Sequence, residues 1–110
     1  MTQFSKELIA ASTIPLVLSI LKDGDDYGYS IIKKVAELSE GNLNWKEGSL
    51  YPVLAKLEKE KLIKSYFKEF QGRKRKYYSI NKSGGARLTE LVNQWKLMNT
   101  TLNAIWKPAI

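Results

Sequence analysis

The chain has 110 residues, which suits one domain, and it contains no cysteine and no histidine. It therefore has no disulfide and lacks the commonest general base and metal ligand, which argues against an ordinary small hydrolase or a zinc protein. We expect a chain that is not an enzyme and holds no metal and no cofactor.

The positive charge of the chain is concentrated in one stretch. Residues 56–82 contain ten Lys or Arg against three Glu, a net charge of +7, whereas residues 1–55 carry −2 and residues 83–110 carry +2. A localised cationic surface is the electrostatic signature of a protein that binds nucleic acid.

The first predicted element is a helix over residues 5–22 that is apolar on almost every side. Such a helix must be covered on several faces, so we expect a partner chain to cover part of it. Pro15 lies inside it and should kink the helix or begin its second half. The apolar run is far too short to span a bilayer and no secretory signal is visible, so we expect a cytoplasmic protein with no membrane association.

Two further helices follow a turn that contains three Asp. A metal loop is one interpretation of this turn, but the remaining ligands of a calcium loop are missing, which favours a solvated turn. Residues 28–39 form an amphipathic helix whose inward side chains should be Ile31, Ile32, Val35 and Leu38.

The start of the third helix is open to two interpretations. Asn44 and Glu47 resemble a capping box, but Pro52 would clash with the Gly48 carbonyl in a regular helix. The alternative is a helix capped by Ser49, with Pro52 in its first turn. Its buried stripe should be Leu50, Val53 or Leu54, Leu57 and Leu62.

Next comes a predicted β-hairpin with strands at residues 63–70 and 74–80 and Gly72 in the turn. Strand alternation should send one member of each aromatic pair inward. The pairs are Tyr66 with Phe67 and Tyr77 with Tyr78. Because these rings are then needed for the core and for sheet cover, they argue against a platform that stacks single-stranded bases.

The last predicted helix begins after a cap at Asn81 or Ser83 and runs to about Trp106. Its apolar residues recur at spacings of three and four, which is a heptad seam. They are Leu88, Leu91, Trp95, Met98, Leu102 and Ile105. The seam favours a helix that pairs two subunits in a homodimer, and the alternative is an ordinary core helix.

This order of elements predicts a mainly α fold with a small β-hairpin, a winged helix-turn-helix with a C-terminal dimerisation helix. We assign residues 1–81 to DNA binding and residues 82–110 to dimerisation, with the helix at 5–22 also in the dimer interface. The third helix should enter the major groove and the hairpin should contact the backbone or a minor groove. The residues expected at a double-stranded DNA operator are Lys46, Ser49, Tyr51, Lys56, Arg73, Lys74, Arg75 and Lys76.

Two segments resemble the PadR family of bacterial transcriptional regulators. They are LSILKDGDDYGYSIIKKV and GSLYPVLAKLEKEKLIKSYFKEFQGRKRKYYSINKSG, and the single short C-terminal helix resembles the compact branch of the family. The resemblance implies a homodimeric repressor of a transporter or detoxification gene that binds a palindromic operator. It also implies DNA contacts by Tyr51, Lys56, Arg73, Arg75 and Lys76. Lys61 stands where the family often has Gly, so we expect a local change in that turn.

Trp95 occupies a central seam position, where two-stranded seams prefer branched aliphatic residues. Two indoles related by symmetry would hold the helices apart and leave a flat apolar slot. Leu8, Ser12 and Pro15 would line the slot, with Asn99 one turn beyond Trp95. Compact PadR proteins include multidrug sensors that stack planar aromatic compounds between paired tryptophans, so the resemblance implies such an effector here. The alternative is that Trp95 packs into a closed dimer core.

A different class of function is also compatible with the sequence. A winged helix can bind RNA or dock on a protein without a specific operator, and composition alone does not separate these activities from operator binding.

Overall fold

The computed structural model describes residues 4–107, and all structural statements below concern that part of the chain. Its elements are α1 (Lys6–Lys22), β1 (Asp26–Tyr27), α2 (Gly28–Leu38), α3 (Glu47–Lys59), β2 (Ile63–Phe70), β3 (Arg73–Ile80) and α4 (Lys82–Ile105). The three strands form an antiparallel sheet in the order β1-β3-β2. The described elements confirm the predicted mainly α winged helix-turn-helix.

Helix α1 is buried at one end and exposed at the other. The Ser5 side chain caps it by accepting a hydrogen bond from the Leu8 N–H at 3.1 Å. The helix is continuous through Pro15, so Pro15 does not begin a separate second half. Its buried residues, Val17, Leu18, Ile20 and Leu21, all lie in the last two turns. The N-terminal half is only partly covered by this chain, with Ile9 half-buried against the core and Leu8 exposed.

The prediction for α2 is right for its core face and wrong for Leu38. Ile31 and Val35 are buried and Ile32 is half-buried, but Leu38 is 77% exposed. Helix α2 ends at Leu38, so its last turn reaches the edge of the core. Leu43 and Trp45, from the loop that follows, are part of the core cluster instead.

Neither predicted cap begins α3. The Asn44 side chain donates to the Gly41 carbonyl at 2.6 Å, and Asn44 lies two residues before the N-cap of α3. The N-cap is Lys46, without a side-chain hydrogen bond, and Ser49 lies inside the helix. The helix continues through Pro52 and buries Leu50, Leu54 and Leu57, while Val53 and Leu62 are half-buried.

The turn after α3 keeps a left-handed residue although it has no glycine. Lys61 has φ +61°, and its N–H donates to the Glu58 carbonyl at 3.0 Å. The Leu62 N–H donates to the Leu57 carbonyl, and the Asn81 side chain donates to the Lys61 carbonyl at 2.7 Å. The expected local change is therefore absent, because these hydrogen bonds hold Lys61 in the conformation that glycine usually adopts.

The wing, defined here as the hairpin of β2 and β3 at residues 63–80, closes through a two-residue turn. Gln71 and Gly72 have φ values of +51° and +74°, as expected where two positive-φ residues join twisted strands. Strand β3 begins at Arg73, one residue earlier than predicted. Strand β1 was not predicted, since two residues are too few for a periodic pattern.

The alternation predicted for the aromatic pairs is wrong. Tyr77 and Tyr78 are both buried, whereas Tyr66 and Phe67 are both exposed. Strand β1 lies beside β3, and the ring of Tyr27 meets that of Tyr77 edge-on at 5.3 Å. Because both faces of the sheet are covered at this point, neighbouring residues of β3 are both buried.

Helix α4 buries only the first residue of its predicted seam completely within one chain. Asn81 caps it as predicted, with its side chain accepting from the Gly84 N–H at 2.9 Å. Leu88 is buried and Leu91, Trp95 and Leu102 are half-buried, but Met98 is exposed and Ile105 is 70% exposed. No helix among the described residues is long and apolar enough to cross a membrane.

Lys61 gives a direct test of the left-handed turn. We expect Lys61→Gly to raise the free energy of unfolding by about 1 kcal/mol, because glycine adopts positive φ without a steric penalty. Urea denaturation followed by circular dichroism measures the change. The control is Lys59→Gly in the last turn of α3, which should lower the stability by about 0.5–1 kcal/mol. A loss of stability in both variants would contradict this account of the turn.

Candidate nucleic-acid interface

Three of the predicted DNA contacts lie along one side of α3, from its N-cap to its last turn. Lys46, Ser49 and Lys56 are exposed and line one groove of about 610 Å³ between α1 and α3. Lys6 of α1 lines the same groove, and its lining contains no acidic residue. We call it the α1–α3 groove. Lys6 is not among the predicted DNA contacts, because the sequence does not show that the start of α1 lies opposite α3.

The outer face of α3 is made of small residues. Gly48, Pro52 and Ala55 follow one another at helical spacing and are all exposed. A Cβ atom added at Gly48 would have no neighbour within 4 Å. Because these side chains are short, the helix backbone can come close to a partner on this face. Ser49 and Tyr51 flank the face on either side.

Tyr51 has a structural contact as well as an exposed edge. Its side chain is 41% exposed, but its hydroxyl lies against Gly28 at the start of α2. A Cβ atom at Gly28 would be only 2.6 Å from the Tyr51 hydroxyl oxygen and 2.8 Å from Cζ. The absence of a side chain at Gly28 therefore sets how closely α2 and α3 approach each other.

Tyr78 connects α3 to the base of the wing. Burial raises its pKa above the usual value, and the nearby groups of Tyr51 and Glu58 raise it further. Glu58 of α3 also accepts a hydrogen bond from the Ser65 hydroxyl at 2.6 Å. The face of the wing that carries Tyr78 and Ser65 is thus the face that packs on α3.

The four consecutive cations of the wing do not form a single patch. The register pairs Tyr66 with Tyr77 and Phe67 with Lys76, so residues alternate between the two faces of the ribbon. Lys74 and Lys76 share the α3-facing side with Tyr78, and their ammonium groups lie over Phe67 at 5.2 Å and over Tyr78 at 5.7 Å. Arg73 and Arg75 lie on the opposite face.

The opposite face of the wing carries an aromatic stack. Tyr66 stacks on Tyr77 with ring centroids 5.9 Å apart, and the Lys68 ammonium lies 5.3 Å from the centre of the Tyr77 ring. The Tyr66 hydroxyl donates to Asp25 at 2.5 Å, and this hydrogen bond raises the pKa of Tyr66. Lys68 is not among the predicted DNA contacts, although the strand register places it beside Arg75.

The structure brings the residues predicted to hold an effector into one groove. Leu8, Ser12, Pro15, Trp95 and Asn99 all line a mostly apolar groove of about 380 Å³ between α1 and α4. Phe4, Leu16, Leu43, Val92 and Lys96 complete its lining. We call it the α1–α4 groove.

Titratable residues are not grouped in a way that suits a metal. Among residues 4–107, no three His, Cys, Asp or Glu side chains are close enough together to hold an ion. Of the three Asp of the predicted turn, Asp26 is buried and pairs with Lys34 at 2.7 Å, while Asp25 accepts from Tyr66.

Comparison with known proteins agrees with this arrangement. Residues 17–90 match the model of the transcriptional regulator PadR-like family. The chain belongs to the PadR family. This match includes β1, α2, α3 and the whole wing, which are the elements that position the candidate DNA contacts.

Solved structures support the same assignment over nearly the whole chain. A transcriptional regulator from Clostridium thermocellum superposes with a TM-score of 0.84 at 32% identity, covering 93% of this chain and 100% of that one. A PadR-like transcriptional regulator from Bacillus cereus gives 0.84 at 31% identity, covering 94% and 100%. By sequence, a transcriptional regulator of Escherichia coli is also similar. It is 30% identical over 89 residues, which are 81% of this chain and 42% of that longer protein.

The contact between Gly28 and Tyr51 predicts a background-dependent substitution. We expect Gly28→Ala to lower the free energy of unfolding by about 1–2 kcal/mol, because the new methyl group displaces the Tyr51 ring. In a Tyr51→Ala background the same change should be neutral or stabilising. Thermal denaturation of the four proteins measures the coupling.

Gly48→Ala is the matched control for this test. It adds the same methyl group in open space and should stabilise α3 by about 0.5–1 kcal/mol. Equal costs for Gly28→Ala in both backgrounds would show that the Tyr51 ring does not limit this position.

Proposed function

We propose that this PadR protein is a homodimeric, ligand-responsive repressor that binds a palindromic DNA operator in the cytoplasm and controls a transporter or detoxification gene. The observation that carries the proposal is the α1–α3 groove, which is lined by Lys6, Lys46 and Lys56 and by no acidic residue, together with a wing face that also carries lysines. DNA is the acidic partner that fits a helix and a β-ribbon of this size.

In this proposal α3 enters the major groove by its N-terminal end. The small outer face of Gly48, Pro52 and Ala55 allows close approach, and Ser49 reaches a base edge. Lys46 and Lys56, with Lys6 from α1, contact phosphates along one edge of the DNA major groove. Tyr51 contacts DNA through its exposed edge, since its hydroxyl is packed against Gly28.

The wing contributes phosphate contacts on a neighbouring part of the duplex. Lys74 and Lys76 project from the face that packs on α3, and Arg73 lies next to the turn at the tip. These side chains carry no sequence information by themselves, but they fix the register of the protein on the duplex.

Dimerisation follows from the apolar surface that one chain leaves uncovered. The N-terminal half of α1 and the C-terminal half of α4 expose large apolar side chains, among them Leu8, Leu97, Met98 and Ile105. A second copy covers such a surface and places two α3 helices about 34 Å apart, one turn of DNA. In this proposal residues 1–81 bind DNA and residues 82–110 dimerise, although residues 1–3 and 108–110 lie outside the described part of the chain.

The effector in this proposal is a planar aromatic compound in the α1–α4 groove, as in the multidrug-sensing members of the compact branch. The groove is lined mostly by apolar side chains, with the Trp95 indole for stacking and Asn99 for a hydrogen bond. It lies between α1 and the dimerisation helix, so a ligand there can change the angle between the two DNA-binding lobes. The ligand relaxes repression only if its affinity differs between the two dimer states.

Salt dependence tests the DNA-binding part of the proposal. If the dimer neutralises about six phosphates, its affinity for duplex DNA should fall by about 10³-fold between 50 and 200 mM salt. Fluorescence anisotropy with a labelled duplex measures the slope. A flat salt dependence contradicts phosphate binding by α3 and the wing.

Selection from random duplexes separates operator binding from the alternative. An enriched palindrome with half-sites one helical turn apart supports the repressor. Binding of RNA in preference to duplex DNA, or no enriched palindrome, favours a winged helix that binds RNA or docks on a protein.

A dye titration tests the effector. We expect a planar aromatic dye to quench the tryptophan fluorescence of the wild-type dimer, and Trp95→Ala should remove most of the quenching. Trp106→Ala is the matched control, because that indole is exposed and does not line the groove. Quenching that survives Trp95→Ala unchanged, or no quenching in the wild type, excludes this site.

A further inference from the structure

Arg75 differs from the other cations of the wing. Arg73, Lys74 and Lys76 are exposed, whereas Arg75 is half-buried. Its guanidinium carbon lies 4.5 Å from the centre of the Tyr27 ring, closer than any lysine of the wing lies to the aromatic ring it covers. Its Nε atom is buried without a hydrogen-bond partner among the described residues. Part of this guanidinium is therefore used inside the protein.

The partner of Arg75 belongs to the segment that begins α2. Tyr27 is the N-cap of α2, and its backbone pairs with Tyr77 in the β1–β3 ladder. Its neighbour Asp26 is buried, accepts from the Tyr27 N–H at 3.0 Å and pairs with Lys34 of α2. The stack of Arg75 on Tyr27 thus joins the middle of the wing to the start of α2.

This connection lies where the wing has little other support. Strand β1 contributes only two residues, so its ladder reaches β3 at Tyr77 and Tyr78 and not beyond. Farther out the wing is a two-stranded ribbon, and such a ribbon has little rigidity of its own. On the face that carries Tyr77, Arg75 is the first side chain beyond the end of the ladder, where it can brace the ribbon against β1.

We propose that Arg75 is a positioning residue, which sets the angle of the wing relative to α2 and α3 and does not act as a phosphate contact. Strand alternation places Lys74 and Lys76 on the opposite face, and these are the side chains that the brace presents to DNA. The inference rests on the proposed DNA binding. It departs from the sequence-based expectation that the four consecutive cations contact DNA alike.

Substitutions that keep the charge give the sharpest test. Binding of the dimer to a labelled mixed-sequence duplex of about 30 base pairs is measured at several salt concentrations, at a temperature where every variant is folded. A phosphate contact tolerates Arg75→Lys, because lysine also binds phosphate. A stacking brace does not, because the ammonium lacks the planar face of the guanidinium.

We expect Arg75→Lys to raise the Kd about three- to tenfold at every salt concentration, with the slope against salt unchanged. The matched control is Arg73→Lys, which should leave the Kd within about twofold of the wild type. Lys74→Gln is the positive control for a phosphate contact. It should flatten the salt slope by about two for a dimer, one contact from each subunit.

Removing the ring should have the same effect as removing the guanidinium. We expect Tyr27→Leu to raise the Kd as Arg75→Lys does, and Tyr27→Phe to bind like the wild type because it keeps the ring. The double variant Tyr27→Leu with Arg75→Lys should be no weaker than either single variant, since both changes break one contact.

Three results overturn the inference. They are Arg75→Lys with wild-type affinity, Kd increases that multiply in the double variant, and a lowered melting temperature with no change in Kd, which would make the contact purely stabilising. Failure of the proposed function looks different, since the wild type itself would then not bind any duplex at 50 mM salt.

Discussion

The burial of the C-terminal half of α1 is the constraint on which the rest of the structure depends. Val17, Leu18 and Leu21 are almost completely buried, and α1 packs against α2, β3 and α4. Because the buried residues of α1 lie in this half, the N-terminal half is only partly covered, with Ile9 half-buried against the core and Leu8 exposed. The α1–α3 groove and the α1–α4 groove are both lined by residues of that N-terminal half, one on each side.

Features with a local cause could be predicted from the sequence. Helix periodicity located the helices to within a few residues, Gly72 located the turn of the wing, and the short polar side chain of Asn81 located the start of α4. The resemblance to the PadR family rested on the Gly-Ser-Leu-Tyr-Pro and Gly-Arg-Lys-Arg-Lys-Tyr-Tyr segments. The family-model match confirms it.

Features that depend on distant neighbours could not be predicted in this way. The exposure of Leu38 depends on Leu43 and Trp45 filling the core, and the burial of both Tyr77 and Tyr78 depends on β1. Asn44 has the composition of a cap but bonds to Gly41 instead. For the candidate site, adjacency along the chain suggested one patch of four cations, and strand alternation divides it between two faces. Lys6 was missed because it is far from α3 in sequence and close only in the fold.

If α3 reads DNA as proposed, the contact of Tyr51 with Gly28 limits how the target sequence can change. A side chain that also spaces two helices cannot be exchanged freely, since a shorter residue leaves a gap and a bulkier one pushes the helices apart. Ser49, Pro52 and Ala55 are exposed and have short side chains, so replacing them displaces fewer neighbouring atoms. Substitutions that change the bound DNA sequence should therefore occur mainly at these exposed positions, whereas Tyr51 and Gly28 should change only together.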